Sequence, residues 1–234
     1  MKKLVPGLVI GALILGSSAV FAQDEEPAPV VGERLAQIQE RGTLRCGVNG
    51  QLPGFSVLDD ATGDYLGIDA DYCRAVAQAV LGDASAVEFS QVTGVQRGPK
   101  LQSGEIDVLI RNTTNTTSRD AAWGNFTRTI FYDRQGMMVP AGGITTLAEL
   151  DGATICVLAG TTTEQNLADQ MAVRGIAYEP LVNEQTDAVY QAYEEGRCDA
   201  VTSDQSQLAA RRSSLTDPSA HLIMEESISK EPLG

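Results

Sequence analysis

The segment from Arg111 to Arg119 carries a dense set of polar groups that could bind a charged small molecule. Its sequence, RNTTNTTSR, offers hydroxyls and amides and ends in a guanidinium, which can hold a carboxylate through two hydrogen bonds. The apolar run Ile106–Ile110 precedes it and has the length of a strand. The segment is therefore a candidate carboxylate site, and a solvated polar loop is the alternative.

A second candidate is the run from Gly160 to Glu164, which follows a predicted strand and opens a predicted helix. The start of a helix has free amides and the positive end of the helix dipole, and both favour a carboxylate or a phosphate. Thr161 and Glu164 also have the spacing of a capping box, so a capped helix that binds nothing is the alternative.

Asp204 is the third candidate, because it stands directly after the predicted strand Asp199–Thr202. Ligands of open α/β sheets lie at such strand ends, where an acid could hold an ammonium group. The alternative is an N-cap for the helix that follows. Phe55 and Tyr65 could present aromatic surface or belong to the core. An arginine and a helix start that hold a carboxylate, with an aspartate that holds an amine, would form an α-amino acid site.

Alternating helices and strands must position these groups, which indicates an α/β fold. In the first half, one helix is predicted at Glu33–Arg41, and a second is predicted to be capped by Asp69 and to run through Leu81. The second helix has an apolar face formed by Tyr72, Cys73, Val76, Ala77 and Val80. The predicted strands of this half are Thr43–Val48, Phe55–Leu58, Tyr65–Ile68, Val87–Phe89 and Ile106–Ile110. In the second half, the predicted strands are Ala153–Leu158, Ile176–Pro180 and Asp199–Thr202, and the predicted helices are Thr162–Arg174, Glu184–Glu195 and Gln205–Arg212. Glycines and a proline within 132–143 suggest that two units join there, with a ligand cleft between them.

The composition excludes several classes of function. The net charge of −14 would repel a nucleic acid, and no basic stripe interrupts it. His221 is the only histidine, and no zinc-protease, P-loop, dinucleotide or nucleophile-elbow motif is present. We therefore expect neither a metal nor a cofactor.

The N-terminus is typical of an export signal. Lys2 and Lys3 precede the apolar stretch Leu4–Leu15, and Val20 and Ala22 occupy the two recognition positions of a signal-peptide cleavage site. A membrane anchor is the alternative, but the stretch is shorter than the ~20 residues that a span needs. We expect residues 1–22 to be a signal peptide cleaved after Ala22, followed by a disordered lead-in at residues 23–32.

The four cysteines lie two in each half of the chain. An even number in an exported chain favours disulfides. Three connectivities are possible, and pairing within each half, Cys46 with Cys73 and Cys156 with Cys198, is the most economical. Four buried free thiols are the alternative.

Several ordered motifs resemble the extracellular solute-binding proteins of polar amino-acid ABC importers, and within them the general L-amino-acid-binding branch. The motifs are CGVN at 46–49, GIDADYCRAVAQAV at 67–80, LQSGEIDVLIRNTT at 101–114, AGTTTEQNLAD at 159–169, GRCDAVTSD at 196–204 and ISKEPLG at 228–234. The resemblance implies a two-lobed type II periplasmic-binding-protein fold, with lobe 1 at 33–136, lobe 2 at 137–230 and the start of the second hinge crossover at 231–234. Lobe 1 would be incomplete, because related proteins cross back after this point.

The resemblance also implies a ligand set. Arg119 would bind the α-carboxylate, with Thr114 and the backbone of Asn112 beside it, while the helix start at Thr161 and Thr162 would add amides. Asp204 would hold the α-ammonium and Phe55 would line the side-chain pocket. The sequence departs from the branch at Asn115, where an aromatic is usual, and at Arg97–Lys100, where a glycine and a proline weaken a helix.

The function implied is a monomeric periplasmic component that captures an L-amino acid and delivers it to an inner-membrane ABC permease, without catalysis. The alternatives on the same fold are a periplasmic dehydratase-like enzyme and a sensory ligand-binding domain. Turnover of prephenate or arogenate would identify the first, and a downstream membrane helix and signalling module would identify the second.

Overall fold

A computed structural model describes residues 32–234. The predicted signal peptide, its cleavage site after Ala22 and nearly all of the predicted lead-in lie outside the described residues. Among residues 32–234, no helix has the length and apolar character that crossing a membrane requires.

Helices and strands alternate along the described chain. The helices α1 to α7 span Glu33–Arg41, Ile68–Leu81, Arg97–Ser103, Thr117–Trp123, Thr162–Arg174, Thr186–Glu194 and Gln205–Arg212. The strands β1 to β13 span Leu44–Val48, Gln51–Leu52, Ser56–Leu58, Tyr65–Leu66, Val87–Gln91, Val108–Leu109, Phe131–Asp133, Gln135–Pro140, Ala153–Leu158, Tyr178–Asn183, Ala200–Asp204, His221–Ile223 and Glu231–Leu233.

The first sheet is parallel, with the order β5-β1-β6. Alternate residues of β1 are fully buried, among them Leu44 and Val48, and α2 packs against the strand through Ala77. Beside this sheet, β2, β3 and β4 form a small antiparallel sheet, in which β3 and β4 correspond to the strands predicted at Phe55–Leu58 and Tyr65–Ile68.

The second sheet has the order β10-β9-β11-β8-β12. β9 pairs in parallel with β10 and β11, whereas β8 is antiparallel to both β11 and β12. Neighbouring residues of a strand face opposite sides of a sheet. Met137 and Met138 of β8 accordingly belong to two different core clusters, one on each face, and both are fully buried.

The predicted disulfides are confirmed. Cys46 bonds to Cys73 and joins β1 to α2, and Cys156 bonds to Cys198 and joins β9 to the segment before β11. Each bridge therefore ties a central strand to a neighbouring element of the same half of the chain.

The segment predicted to join two units, 132–143, is itself part of two sheets. β7 pairs with β13, and β8 is a buried strand inside the second sheet. The glycine at the start of β8 allows the close packing of α7, since a Cβ at Gly136 would lie 2.9 Å from Cγ of Gln205. The segment forms a strand because Met137 to Val139 are buried, and the free energy of burying this apolar run outweighs the preference of the surrounding residues for turns.

One helix prediction in the first half was wrong. Asp69 does not cap α2, because the helix begins at Ile68 after Gly67 and has no side-chain cap. Gly67 has φ 119° there, and a Cβ would lie 2.4 Å from the Phe55 carbonyl oxygen, so the close approach of the backbone sets this boundary. Tyr72, which was predicted to lie on the apolar face of α2, is exposed.

Arg97–Lys100, where a glycine and a proline weaken a helix, nevertheless forms the start of α3. Pro99 is the third residue of the helix, where a backbone N–H needs no partner within the helix. Gly98 fits under the indole of Trp123, from which a Cβ would be only 2.6 Å away. Tertiary packing therefore favours glycine at this position.

Candidate ligand site

Arg119 is held by the short helix α4 and by an aromatic ring. Thr116 caps the helix by accepting a hydrogen bond from the backbone N–H of Arg119 at 3.2 Å. The side chain is 8% exposed, its Nη1 donates to the Thr114 carbonyl at 3.0 Å, and its guanidinium lies 4.9 Å from the centre of the Trp123 ring. Burial lowers the pKa of Arg119, while the carboxylates of Glu231 and Asp204 act in the opposite direction. Arg119 is therefore a fixed cation that faces acids.

Asp204 is the last residue of β11 and stands directly before α7. It is 3% exposed and makes no capping hydrogen bond, which argues against the N-cap role considered above. Gln207 Nε2 donates to its Oδ2 at 2.7 Å, whereas Oδ1 is buried without a hydrogen-bond partner among the described residues. Burial raises the pKa of Asp204 well above its ordinary value, with further contributions from Asp133 and Glu231. An unpartnered buried oxygen is costly, so this atom is suited to accept a ligand N–H.

The start of α5 lies next to these groups. Thr161 is the N-cap and accepts from the backbone N–H of Glu164 at 3.1 Å. Glu164 reaches back to the N–H of Gly160 at 2.8 Å, one residue earlier than in an ordinary capping box. The Thr162 hydroxyl donates to Glu231 Oε2 at 3.0 Å and lies 3.1 Å from the Thr114 hydroxyl.

Asn112 and Thr114 follow β6 in the polar segment. Asn112 adopts φ 31°, in the left-handed region that asparagine tolerates better than most residues. Its Oδ1 accepts from Asn49 Nδ2 at 3.4 Å. Thr114 forms an isolated bridge with Leu233, so the polar segment is anchored to β13.

A small polar cavity brings many of these residues together. Of the seven predicted ligand residues, five line it: Asn112, Thr114, Thr161, Thr162 and Asp204. Arg119 does not line this cavity and instead donates to the carbonyl of Thr114, which does.

Phe55 does not line the polar cavity either. It is buried against Leu52 and Leu233 and meets Phe131 edge to face at 5.9 Å. It lines a neighbouring, mostly apolar cavity, which shares Arg111 and Asn112 with the polar cavity.

Sequence reasoning did not single out three further charged residues of the site: Arg97, Arg111 and Glu231. Arg111 was noted only as the first residue of the polar segment, and Glu231 only as the start of a crossover. For Arg97, the sequence offered no signal, because its neighbours Gly98 and Pro99 only weaken a helix there.

Arg97 is almost fully buried and makes contacts on both sides of the site. Its Nε donates to the Gly94 carbonyl at 3.0 Å and its Nη2 to the Gly160 carbonyl at 2.8 Å. Burial lowers the pKa of Arg97 well below its ordinary value, as do the nearby cations Arg111 and Arg119, while Asp204 opposes the shift.

Glu231 connects β13 to α5. Its Oε1 accepts from Asn166 Nδ2 at 2.8 Å and from the hydroxyl of Ser229, and its Oε2 accepts from Thr162. The carboxylate also lies close enough to Arg119 to act on the pKa of that residue. Buried charges are tolerated only when they are paired in this way.

His221 lies outside this site. Its Nδ1 is 2.9 Å from the hydroxyl of Tyr193, and the two rings are 5.3 Å apart. Among residues 32–234, no group of three or more His, Cys, Asp or Glu side chains is placed to hold a metal ion.

Comparison with known protein families assigns the chain to one of them. Residues 44–171 match the family of bacterial extracellular solute-binding proteins, family 3. The chain belongs to this family.

Two characterised relatives and one solved structure agree with that assignment. The general L-amino acid-binding periplasmic protein of Rhizobium johnstonii is 45% identical over 238 residues, which cover 100% of this chain and 67% of the relative. The glutamate/glutamine/aspartate/asparagine-binding protein of Rhodobacter capsulatus is 43% identical over 97% of this chain and 64% of the relative. A periplasmic binding protein from Brucella ovis with glutathione bound is 47% identical, with a TM-score of 0.81, over 86% of this chain and 63% of that chain. The chain thus spans about two thirds of the length of these proteins, and its α/β fold is that of the type II periplasmic binding proteins, as predicted.

Proposed function

We propose that this chain belongs to the periplasmic substrate-binding component of an ABC importer and captures an L-amino acid between the β5-β1-β6 sheet and the β10-β9-β11-β8-β12 sheet. One observation carries the proposal: the buried Asp204 has an unpartnered Oδ1 in the same cavity as Thr114 and the start of α5, and the cation Arg119 faces it. A carboxylate and a guanidinium that are fixed in this way complement the ammonium and carboxylate groups of an α-amino acid.

In the proposed complex, Asp204 binds the α-ammonium. Arg119 binds the α-carboxylate, together with Thr114, the backbone of Asn112 and the amides at Thr161 and Thr162. Arg119 can do so because a guanidinium has five N–H donors, and within residues 32–234 its hydrogen bond runs from Nη1 to the Thr114 carbonyl, which leaves other donors for a ligand. The names of the Rhizobium and Rhodobacter relatives support an amino-acid ligand.

The proposed lobes are residues 33–136 and 137–230, with crossovers at 132–136 and from 231. Hydrogen bonds across the cleft, such as Arg97 to Gly160, would stabilise the closed form that the ligand favours and the inner-membrane permease recognises. The proposed protein is an exported monomer whose signal peptide ends at Ala22.

We propose binding without catalysis. The roles proposed for Asp204 and Arg119 are to pair with the two charges of an amino acid, and the family consists of solute-binding proteins. A dehydratase-like enzyme would convert prephenate or arogenate, so incubation with each compound and product analysis would separate the two functions.

Isothermal titration of the purified chain with each of the twenty L-amino acids tests the proposal. Saturable binding of at least one L-amino acid, and no binding of its D-enantiomer, is the expected result. Ligand at about 100 times its Kd should also stabilise the chain by roughly 2.7 kcal/mol.

Asp204→Asn should abolish most of this binding, while the control Asp60→Asn, at an exposed position, should not change it. Absence of binding by any amino acid to a chain that unfolds cooperatively would refute the proposal.

A further inference from the structure

A second group of contacts joins the two proposed lobes outside the ligand cavities. Gln51, in β2 of the first proposed lobe, lies between the start of α6 and the end of α7 in the second. Its Oε1 accepts from the backbone N–H of Asp187 at 3.2 Å, and its backbone carbonyl accepts from Nη1 of Arg211 at 2.9 Å. These three residues line neither of the two cavities described above.

The first of these hydrogen bonds serves a helix start that has no side-chain cap of its own. α6 begins at Thr186, and its N-cap residue Gln185 makes no capping hydrogen bond. The first N–H groups of a helix have no partner within the helix, so the N–H of Asp187 takes its acceptor from Gln51. This N–H would lose its protein acceptor if the two proposed lobes separated.

The second hydrogen bond comes from an arginine that its own proposed lobe holds in position. Nη2 of Arg211 donates to Asp187 Oδ1 at 2.6 Å, and the guanidinium lies 4.6 Å from the centre of the Tyr190 ring. The side chain of Arg211 is only 14% exposed. Because Asp187 and Tyr190 already fix the guanidinium, little side-chain freedom is lost when it binds the Gln51 carbonyl.

A third contact connects this group to the wall of the polar cavity. The hydroxyl of Thr186 donates to Asn49 Oδ1 at 3.4 Å, and Nδ2 of Asn49 donates to Asn112 Oδ1, also at 3.4 Å. Asn49 is 3% exposed, and Asn112 lines the polar cavity. Asn49 Oδ1 also accepts from the backbone N–H of Gln51 at 3.2 Å, so one network runs from the cavity wall to Gln51.

We propose that Gln51, Asp187 and Arg211 form a latch that stabilises the closed form of the chain and thereby raises its affinity for every ligand. This inference rests on the proposed function and adds a control of affinity outside the ligand site. The two hydrogen bonds to Gln51 form only while the lobes are together, whereas the contacts of Arg211 with Asp187 and Tyr190 lie within one lobe. A ligand that needs the closed form binds with an affinity proportional to the population of that form.

Titration calorimetry of the variant Arg211→Met with the twenty L-amino acids tests the latch. Methionine keeps an apolar side chain against Tyr190 but removes the donor to Gln51. Every amino acid that the wild type binds should lose affinity by the same factor, ~5- to 30-fold, with unchanged stoichiometry, because only the closing equilibrium changes. Arg212→Met is the matched control, since it removes the neighbouring cation of α7 and leaves the latch intact. It should bind as the wild type does.

Gln51→Met is the second variant, in case Arg211→Met does not fold. It removes the acceptor for the Asp187 N–H but keeps the backbone carbonyl that Arg211 binds. The expected result is a loss of affinity of ~3- to 10-fold that is again the same for every amino acid. An affinity equal to that of the wild type would overturn the latch.

The outcomes separate the latch from the proposed function. If the wild type binds no amino acid, the proposed function fails and the latch falls with it. If folded Arg211→Met binds amino acids as tightly as the wild type, the proposed function stands and the latch is overturned. A loss that differs among amino acids would also overturn the latch, because Arg211 would then act on the ligand side chain rather than on closure.

Discussion

The Arg97 guanidinium donates to the Gly160 carbonyl at 2.8 Å and thereby joins the start of α3 to the turn before α5. The two backbones meet at glycines on both sides of this bond. A Cβ at Gly94 would lie 2.3 Å from the Ala159 carbonyl oxygen, and one at Gly160 would lie 2.8 Å from Cγ1 of Val95. The approach of the two segments therefore depends on the absence of side chains.

Gly94→Ala should weaken amino-acid binding by about tenfold or more, because overpacking of this kind costs roughly 1–3 kcal/mol and would hold the two segments apart. The affinity is measured by titration calorimetry. Gly143→Ala is the matched control, since the nearest atom to a Cβ there is 3.9 Å away. Equal affinities for the two variants would show that ligand binding does not require this contact.

Arg119→Ala should remove most of the amino-acid affinity, by ~100-fold or more, because a buried carboxylate would lose its charged partner. The same change leaves Glu231 and Asp204 without the cation that faces them, so the chain should also unfold at a lower temperature. Calorimetry and thermal unfolding measure the two effects. Undiminished affinity in a folded variant would contradict the role of Arg119.

Asp69 should make the free energy of unfolding depend on pH. Burial raises the pKa of Asp69 from 3.8 to about 7, although the Asn112 amide and Arg111 oppose the shift. The folded chain therefore binds more protons than the unfolded chain between these values, so the contribution of Asp69 to stability is present at low pH and is lost as the pH rises toward 7.

Denaturant unfolding from about pH 4 to about pH 7 measures this effect, which amounts to at most ~1.4 kcal/mol per pH unit. Asp69→Asn should reduce the pH dependence, while Asp60→Asn should leave it as in the wild type. Parallel pH profiles for the wild type and Asp69→Asn would contradict the prediction.

The bridge between Cys156 and Cys198 should stabilise the fold without affecting the ligand. It closes a sequence separation of 42 residues, and a disulfide of this kind contributes about 2–4 kcal/mol. Replacing both cysteines by serine should lower the free energy of unfolding by that amount in denaturant titrations. Amino-acid affinity should stay the same, because neither cysteine lines either of the two cavities. A large loss of affinity in the folded variant would mean that the bridge also positions the site.

Several features of this protein follow from the sequence by itself, because local interactions determine them. The bounds of α1, α5, α7 and β9 are those predicted. Glycines in the left-handed conformation end α2 and α5, and Thr161 caps α5. The presence of two cysteines in each half of the chain predicted the two disulfides that the structure contains.

Other features depend on residues that are far apart in the chain, and only the tertiary structure decided them. Burial between two neighbouring strands makes β8 a strand despite its turn-forming residues, and the Trp123 ring covers Gly98 in a helix that its own sequence disfavours. The positions of the buried charged residues also depend on tertiary contacts. Asp69 has the sequence signature of a cap, and Arg97 has none of a ligand site, yet both lie in the walls of the two cavities. Desolvation and long-range pairing set the role of such groups, and neither is encoded in the spacing of residues along the chain.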